Sequence, residues 1–232
     1  MRFSRFSALI GEKNFQNIAT KKVIIFGLGG VGSFAAEALS RSGIGTLYLV
    51  DYDVIEPSNM NRQLLALEDT IGLYKADVMK SRIASINPLC QVFVFKEKVT
   101  ASNLHTFLDL DFDYIVDCID DVEAKVALIK KAILHNQLII SSMGFANKLH
   151  PELIEIATLS KTSVCPLAKV IRSHLRLCDI PLSLPVVFSK EKPLQTKNPD
   201  IRLGSSSFVP SAAGLLLASF VINQFLSMEE KI

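Results

Sequence analysis

Lys22-Val23-Ile24-Ile25-Phe26-Gly27-Leu28-Gly29-Gly30-Val31-Gly32 is the stretch that decides the fold. A short β-branched run enters a cluster of glycines. Residues 33–42 then read as a helix, with Phe34, Ala35, Ala38 and Leu39 on its apolar side. Gly43-Ile44-Gly45 breaks that helix, and residues 46–50 form a second strand that ends at Asp51. Strand, turn, helix and strand in this order predict a parallel sheet with crossover helices. Gly27 permits the tight turn, Gly29 lets the backbone approach a phosphate, and Gly32 lets the helix pack closely on the strand. The helix start offers unpaired N–H groups and the positive end of a dipole to an anion.

The alternation continues outward. Residues 74–86 are a helix stopped by Asn87-Pro88, and residues 91–95 a strand. Residues 101–108 read as helical and residues 114–118 as a buried strand that runs into the acidic turn Ile119-Asp120-Asp121. A helix over 122–135 and a strand over 138–142 follow. Beyond residue 145 the pattern changes. Residues 153–158 look like an antiparallel strand and 167–178 like a basic amphipathic helix. Residues 181–204, rich in proline, lysine and serine, look like a strand plus a mobile loop. The expected class is α/β: a Rossmann-like, mostly parallel sheet flanked by helices, extended by these C-terminal elements. The whole chain, 1–232, reads as one domain with a nucleotide-binding core over 1–145.

Composition agrees. Of 232 residues, 49% are hydrophobic, enough for a sizeable core and too many for a disordered chain. The net charge of +2 does not by itself identify a nucleic-acid partner, but over residues 161–202 eight lysines and arginines stand against three acids. None of the four cysteines forms a C-x-x-C pair, so no zinc site and no disulfide framework are expected. A reducing cytoplasm follows from that usage. The first twenty residues lack the apolar centre of a signal peptide. The apolar run 212–226, interrupted by Asn223 and Gln224, falls short of the roughly 20 residues a membrane span needs. It reads as a buried or subunit-interface helix, with membrane attachment a minor alternative.

The glycine turn alone suits NAD as well as ATP, and Asp51 is placed to bond a ribose in either case. The residues after it separate the two. Asp51-Tyr52-Asp53 leads into Ser58-Asn59-Met60-Asn61-Arg62-Gln63. Arg62 is a fixed cation suited to phosphate oxygens, Lys75 adds a point charge at the start of a helix, and Asp120 closes the fourth strand. A carboxylate there suits Mg²⁺ bridging to substrate phosphates. Taken singly, Arg62 and Lys75 read as surface charges and Asp120 as a helix cap. Jointly, two cations and a metal carboxylate at strand ends fit a triphosphate better than a nicotinamide dinucleotide.

With those pieces in place, the sequence resembles the ThiF/MoeB/HesA superfamily of ATP-dependent adenylating enzymes. The matching segments are Gly27 to Gly32, Asp51-Tyr52-Asp53, Asn59-Met60-Asn61-Arg62-Gln63, Gly72-Leu73-Tyr74-Lys75 and Asp117-Cys118-Ile119-Asp120. The resemblance implies an ATP site built from Gly27, Gly29, Gly30, Asp51, Asp53, Ser58, Asn59, Arg62, Gln63 and Lys75. In it Asp51 holds the ribose, Asn59, Arg62 and Lys75 hold phosphates, and Asp120 holds Mg²⁺. It also implies a homodimer in which Arg5 acts in the partner's ATP site, so that Arg5, Arg62, Lys75 and Asp120 form the catalytic set.

Within the superfamily the chain is most similar to the tRNA threonylcarbamoyladenosine dehydratase branch. That match rests on residues 33–39, Ser141-Ser142-Met143-Gly144, residues 166–172, Val186-Val187-Phe188-Ser189 and residues 205–211. The branch adenylates the threonyl carboxylate of a modified adenosine beside the tRNA anticodon and releases AMP as the modification cyclises. Residues 146–232 would then face the substrate and the dimer partner. Lys169, Arg172, Arg176 and the loop 190–202 are the candidate tRNA contacts, against the alternative of a solvated charged face. A sulfur-relay protein is a further candidate partner. Where some dehydratases carry a cysteine before Val-Phe-Ser, this chain has valine, and Cys165 stands where similar sequences more often have Asp. Cys118 is expected to serve packing. Competing readings are an adenylating enzyme for a ubiquitin-like sulfur carrier, an NAD(P)-dependent oxidoreductase and an inactive scaffold.

Overall fold

The computed structural model describes residues 2–229, with side chains described as far as residue 227. One seven-stranded sheet organises it. The strands are β1 (Lys22–Phe26), β2 (Thr46–Val50), β3 (Gln91–Phe95), β4 (Tyr114–Asp117), β5 (Ile139–Ser142), β6 (Ile154–Thr158) and β7 (Pro185–Ser189), in the order β3-β2-β1-β4-β5-β7-β6. Every pairing is parallel except β6 on β7. The helices are α1 (Ser4–Ile10), α2 (Glu12–Ile18), α3 (Gly32–Arg41), α4 (Lys75–Ile86), α5 (Leu104–Leu108), α6 (Val122–Leu134), α7 (Pro166–Leu177) and α8 (Phe208–Glu229).

The continuous apolar run of β1 follows from burial on both faces. Val23 and Ile25 point into a core closed by Leu39 of α3, Met79 of α4 and Leu217 of α8. Ile24 and Phe26 point into a second core closed by Phe107 of α5, Leu128 of α6 and Ile171 of α7. From β1 the chain first builds outward through β2 and β3, then crosses to β4 on the other side, where Phe26 pairs with Asp117. The carboxyl ends of β1 and β4 therefore flank the topological switch point, where a sheet of this kind opens a crevice for ligands.

Three expectations need correction. The helix expected over 101–108 is only Leu104–Leu108, because Asn103 Oδ1 accepts from Thr100 N at 2.8 Å and holds the preceding residues in a turn. The strand expected to run to residue 118 stops at Asp117, whose Oδ1 accepts from Ile119 N at 3.0 Å and turns the chain. The last helix runs Phe208–Glu229, 22 residues, longer at both ends than the apolar run 212–226. Its stretch Phe208–Ser227 is long and apolar enough to cross a membrane, and half of it is buried against this protein's own core.

Candidate nucleotide-binding site

The site begins with two glycines that tolerate no side chain. Gly27 has φ +86°, and a Cβ there would stand 2.8 Å from the Cys118 carbonyl oxygen. A Cβ on Gly32 would lie 1.8 Å from the Gly27 oxygen, so the start of α3 sits directly on the turn. Gly29 is different: its nearest neighbour would be Gln63 Nε2 at 3.8 Å. The turn thus presents an open stretch of backbone at the N-terminus of a 10-residue helix, the arrangement that attracts an anion.

Asp51 follows β2 and folds back onto this turn. Its Oδ2 accepts from Leu28 N at 2.6 Å and its Oδ1 from Asp53 N at 2.8 Å. Burial raises its pKa above the usual carboxylate value, against the two N–H bonds and nearby Lys75, which pull it down. Lys75 starts α4 by donating its backbone N–H to the Asp53 carbonyl at 3.0 Å, and its Nζ meets Asp53 Oδ2 at 2.7 Å. The ammonium is buried while its counter-ion Asp53 is half exposed.

The segment between β2 and α4 supplies the remaining ligands. Asn59 is buried, with Oδ1 accepting from Glu56 N at 3.3 Å and Nδ2 donating to Ser58 Oγ at 3.2 Å. Arg62 donates to the Ser58 carbonyl at 2.8 Å and to Asn61 Oδ1 at 2.9 Å, and its side chain lines Gly30. Gln63 is buried beside Gly29, and its Oε1 has no hydrogen-bond partner.

Asp120 sits in the acidic turn at the carboxyl edge of the sheet, where the sequence reading puts it. It lies three residues past the end of β4 in the loop before α6 and is exposed. The helix cap is Asp121, whose Oδ1 accepts from Ala124 N at 2.9 Å. That leaves Asp120 free of the capping role. Among the described residues no group of three His, Cys, Asp or Glu side chains could hold a metal. An ion here would therefore take one carboxylate from the protein and the rest of its shell from phosphates and water, which suits Mg²⁺.

Beneath the Asp120 loop lies a network not assigned any role from sequence. Lys125 Nζ meets Asp117 Oδ2 at 2.6 Å, both fully buried, and Ser141 Oγ donates to the same oxygen at 2.5 Å. The signal was available: Lys125 falls in register with Leu128, Ile129 and Ala132 on the apolar stripe of α6. A lysine at a core position needs a buried acid, and the sequence ends β4 with one.

Other predicted residues are not brought together. Arg5 lies on α1, whose neighbour Arg2 donates to the carbonyls of Ser85 and Ile86 at the far end of α4. Twelve residues of helix span about 18 Å. The residues that lead into α1 therefore sit at the opposite end of α4 from Lys75 in the same chain. A basic pocket of about 440 Å³, lined by Arg2, Arg41 and Arg82 among others, also lies at that far end and holds none of the expected ATP ligands. On α7, Lys169 and Arg176 are exposed, but Arg172 is half-buried and spends its guanidinium on Thr162. Burial pushes the thiols of Cys90 and Cys118 up to about 12, which leaves both inert at neutral pH.

The architecture and the sequence are shared with known proteins. The tRNA threonylcarbamoyladenosine dehydratase of Bacillus subtilis is 40% identical over 240 residues, covering 97% of this chain and 94% of that protein. The crystal structure of the Escherichia coli tRNA N6-threonylcarbamoyladenosine dehydratase in complex with AMP superposes with a TM-score of 0.95 at 33% identity, covering 100% of this chain and 96% of the other. The complex of that enzyme with ATP gives 0.93 at 34%, covering 99% and 96%. Residues 3–228 match the ThiF family, and the chain belongs to that family.

Proposed function

We propose that this chain uses ATP to adenylate the carboxylate of N6-threonylcarbamoyladenosine in tRNA and then closes that group into a ring with loss of water. One observation carries the reading: the open backbone at Gly29, the Gln63 amide nitrogen beside it and the cations Arg62 and Lys75 belong to the segments that meet at the glycine turn. That set suits phosphates. The dehydratase relatives, similar along nearly the whole chain, point to the carboxylate that ATP activates.

In this reading a substrate carboxylate oxygen attacks the α-phosphorus and pyrophosphate leaves. An internal nucleophile of the substrate then attacks the acyl adenylate and AMP leaves. Arg62 and Lys75 stabilise charge developing on the phosphates, and holding the nucleophile beside the activated carbonyl supplies much of the rate. Asp51 binds the ribose, and Asn59, Ser58, Gln63 and Asp53 line the nucleotide. Mg²⁺ held by Asp120 would neutralise phosphate charge. Residues 146–232 face the substrate within the single domain, with Lys169 and Arg176 touching RNA phosphates. Arg5 completes the site of a second copy in a homodimer. The reaction belongs in the cytoplasm.

The test is incubation with Mg-ATP and tRNA carrying threonylcarbamoyladenosine. AMP and a nucleoside lighter by one water are expected. If neither forms, while the C-terminal tail of a ubiquitin-like sulfur carrier stimulates exchange of pyrophosphate into ATP, the carrier-activating reading replaces this one.

A further inference from the structure

Asn147 occupies a position that its neighbours in the loop after β5 do not share. It has φ +61°, in the left-handed region. All four of its polar groups are bonded to one later segment. Its backbone N–H donates to the Gly204 carbonyl at 2.8 Å, and its carbonyl accepts from Leu194 N at 2.7 Å. Its side chain accepts from Gly204 N at 2.6 Å through Oδ1 and donates to the Arg202 carbonyl at 3.1 Å through Nδ2. One residue therefore grips both ends of the irregular strap 194–204.

The next residues reinforce the grip. Lys148 is buried and donates to the Ser189 carbonyl at 3.2 Å, while its own carbonyl accepts from Ser206 Oγ at 3.2 Å. The buried carboxylate of Glu191 takes the N–H groups of Leu149 and His150 at 2.9 Å each. Past the strap, the Ser205 carbonyl accepts from Asn61 Nδ2 at 2.9 Å, and Asn61 Oδ1 receives Arg62 at 2.9 Å. The path from Asn147 through Gly204, Ser205 and Asn61 ends on the guanidinium expected to hold ATP.

The strap and its approach also carry exposed charge. Lys192, Lys197 and Arg202 are exposed, against Asp200 alone among the acids, because Glu191 is buried and Lys190 is paired with Glu155. We propose that Asn147 is a positioning residue for the RNA: it fixes this basic strap at the edge of the nucleotide site, so that phosphates bound on it set the distance between the modified base and Arg62. The proposal rests on the tRNA reading above.

The test uses the full-length chain. Asn147→Gly keeps the left-handed backbone without strain and removes both side-chain bonds. Asn147→Asp keeps the acceptor for Gly204 and loses the donor to Arg202. Three quantities are measured: trypsin cleavage at Lys197 and Arg202, KM for the modified tRNA, and ATP affinity without tRNA. For Asn147→Gly, cleavage about tenfold faster and a tRNA KM about tenfold higher are expected, with ATP affinity within twofold of wild type and Asn147→Asp in between. Faster cleavage with unchanged tRNA KM overturns the proposal, and so does equal loss of tRNA and ATP binding. If Asn147→Gly does not fold, the triple variant Lys192→Ala, Lys197→Ala, Arg202→Ala decides: it must raise tRNA KM and flatten the salt dependence of RNA binding. Failure of the dehydratase reading is separately visible, because wild type would then make no AMP from modified tRNA, whereas strap cleavage and direct tRNA binding are read without turnover.

Discussion

Lys125 Nζ stands 2.6 Å from Asp117 Oδ2 with neither side chain exposed, while Asp120, three residues along, lies in the open. Two acids in one short segment thus have opposite surroundings. Asp117→Ala leaves a buried ammonium without its counter-charge and should cost about 3–5 kcal/mol of stability. Asp120→Ala removes an exposed carboxylate that bonds nothing among the described residues, and should shift stability by less than about 0.5 kcal/mol. It should nevertheless abolish AMP formation. Urea unfolding midpoints and an AMP assay on both variants check this. A stable Asp117→Ala protein, or an active Asp120→Ala protein, contradicts the assignment.

The glycines divide in the same way. Gly32→Ala drives a Cβ into the Gly27 backbone at 1.8 Å, where nothing flexible can yield. It should destabilise by roughly 3 kcal/mol or more. Gly29→Ala meets nothing closer than 3.8 Å. Its melting temperature should stay within about 2 °C of wild type, while ATP binding weakens because the methyl group occupies the path of the phosphate. Calorimetric ATP titrations beside thermal melts separate the two effects. Unchanged ATP affinity in Gly29→Ala would place the phosphates elsewhere.

These contrasts also explain what could be read from the sequence. The glycine turn, the alternation of elements and Lys75 at a helix start are local patterns, and local patterns survive without coordinates. Burial and partner choice are not local. Asp120 reads as a possible helix cap when taken singly, and the bond from Ala124 N shows that Asp121 is the cap of α6. Arg172 looks like a surface contact until Thr162 comes round to meet it. Asn147 carries no motif, because its meaning lies in bonds to residues 47 to 57 positions away. The Lys125 signal was legible as a charge on an apolar stripe, but its partner had to come from another element.

Glu37 gives a pH test of how the site is held. It sits on α3, and its carboxylate takes Arg82 of α4 through two bonds, at 2.7 and 3.0 Å, together with Arg41 at 2.7 Å. Burial alone would raise its pKa, but the bonds from Arg82 and Arg41 prevail and hold it below 4.5. A carboxylate with a lowered folded pKa contributes stability above its unfolded pKa and loses it as pH falls through the folded one. Glu37→Gln should therefore cost about 1–2 kcal/mol at pH 7. The gap to wild type should close as pH drops below about 4.5. Thermal melts of both proteins between pH 3 and 7 measure it, and a gap that stays constant would show that the ion pairs contribute nothing.

The last prediction concerns Arg5. On its own chain Arg5 follows Arg2, which is bonded at the end of α4 that lies about 18 Å of helix away from Lys75. If Arg5 serves catalysis at all, a second copy must bring it. Arg5→Ala homodimers and Asp120→Ala homodimers should each be inactive, one lacking the cation and the other the metal carboxylate. Mixed dimers regain one complete site, because the Asp120→Ala subunit lends its Arg5 to the Arg5→Ala subunit, which keeps its own Asp120. Random exchange of equal amounts makes half of the dimers mixed, each with one of two sites intact, so activity should recover to about a quarter of wild type. Co-expression with two affinity tags isolates the mixed species and should raise the recovery to about half. Silence in the purified mixed dimer would remove Arg5 from the catalytic set and leave Arg62 and Lys75 as its cations.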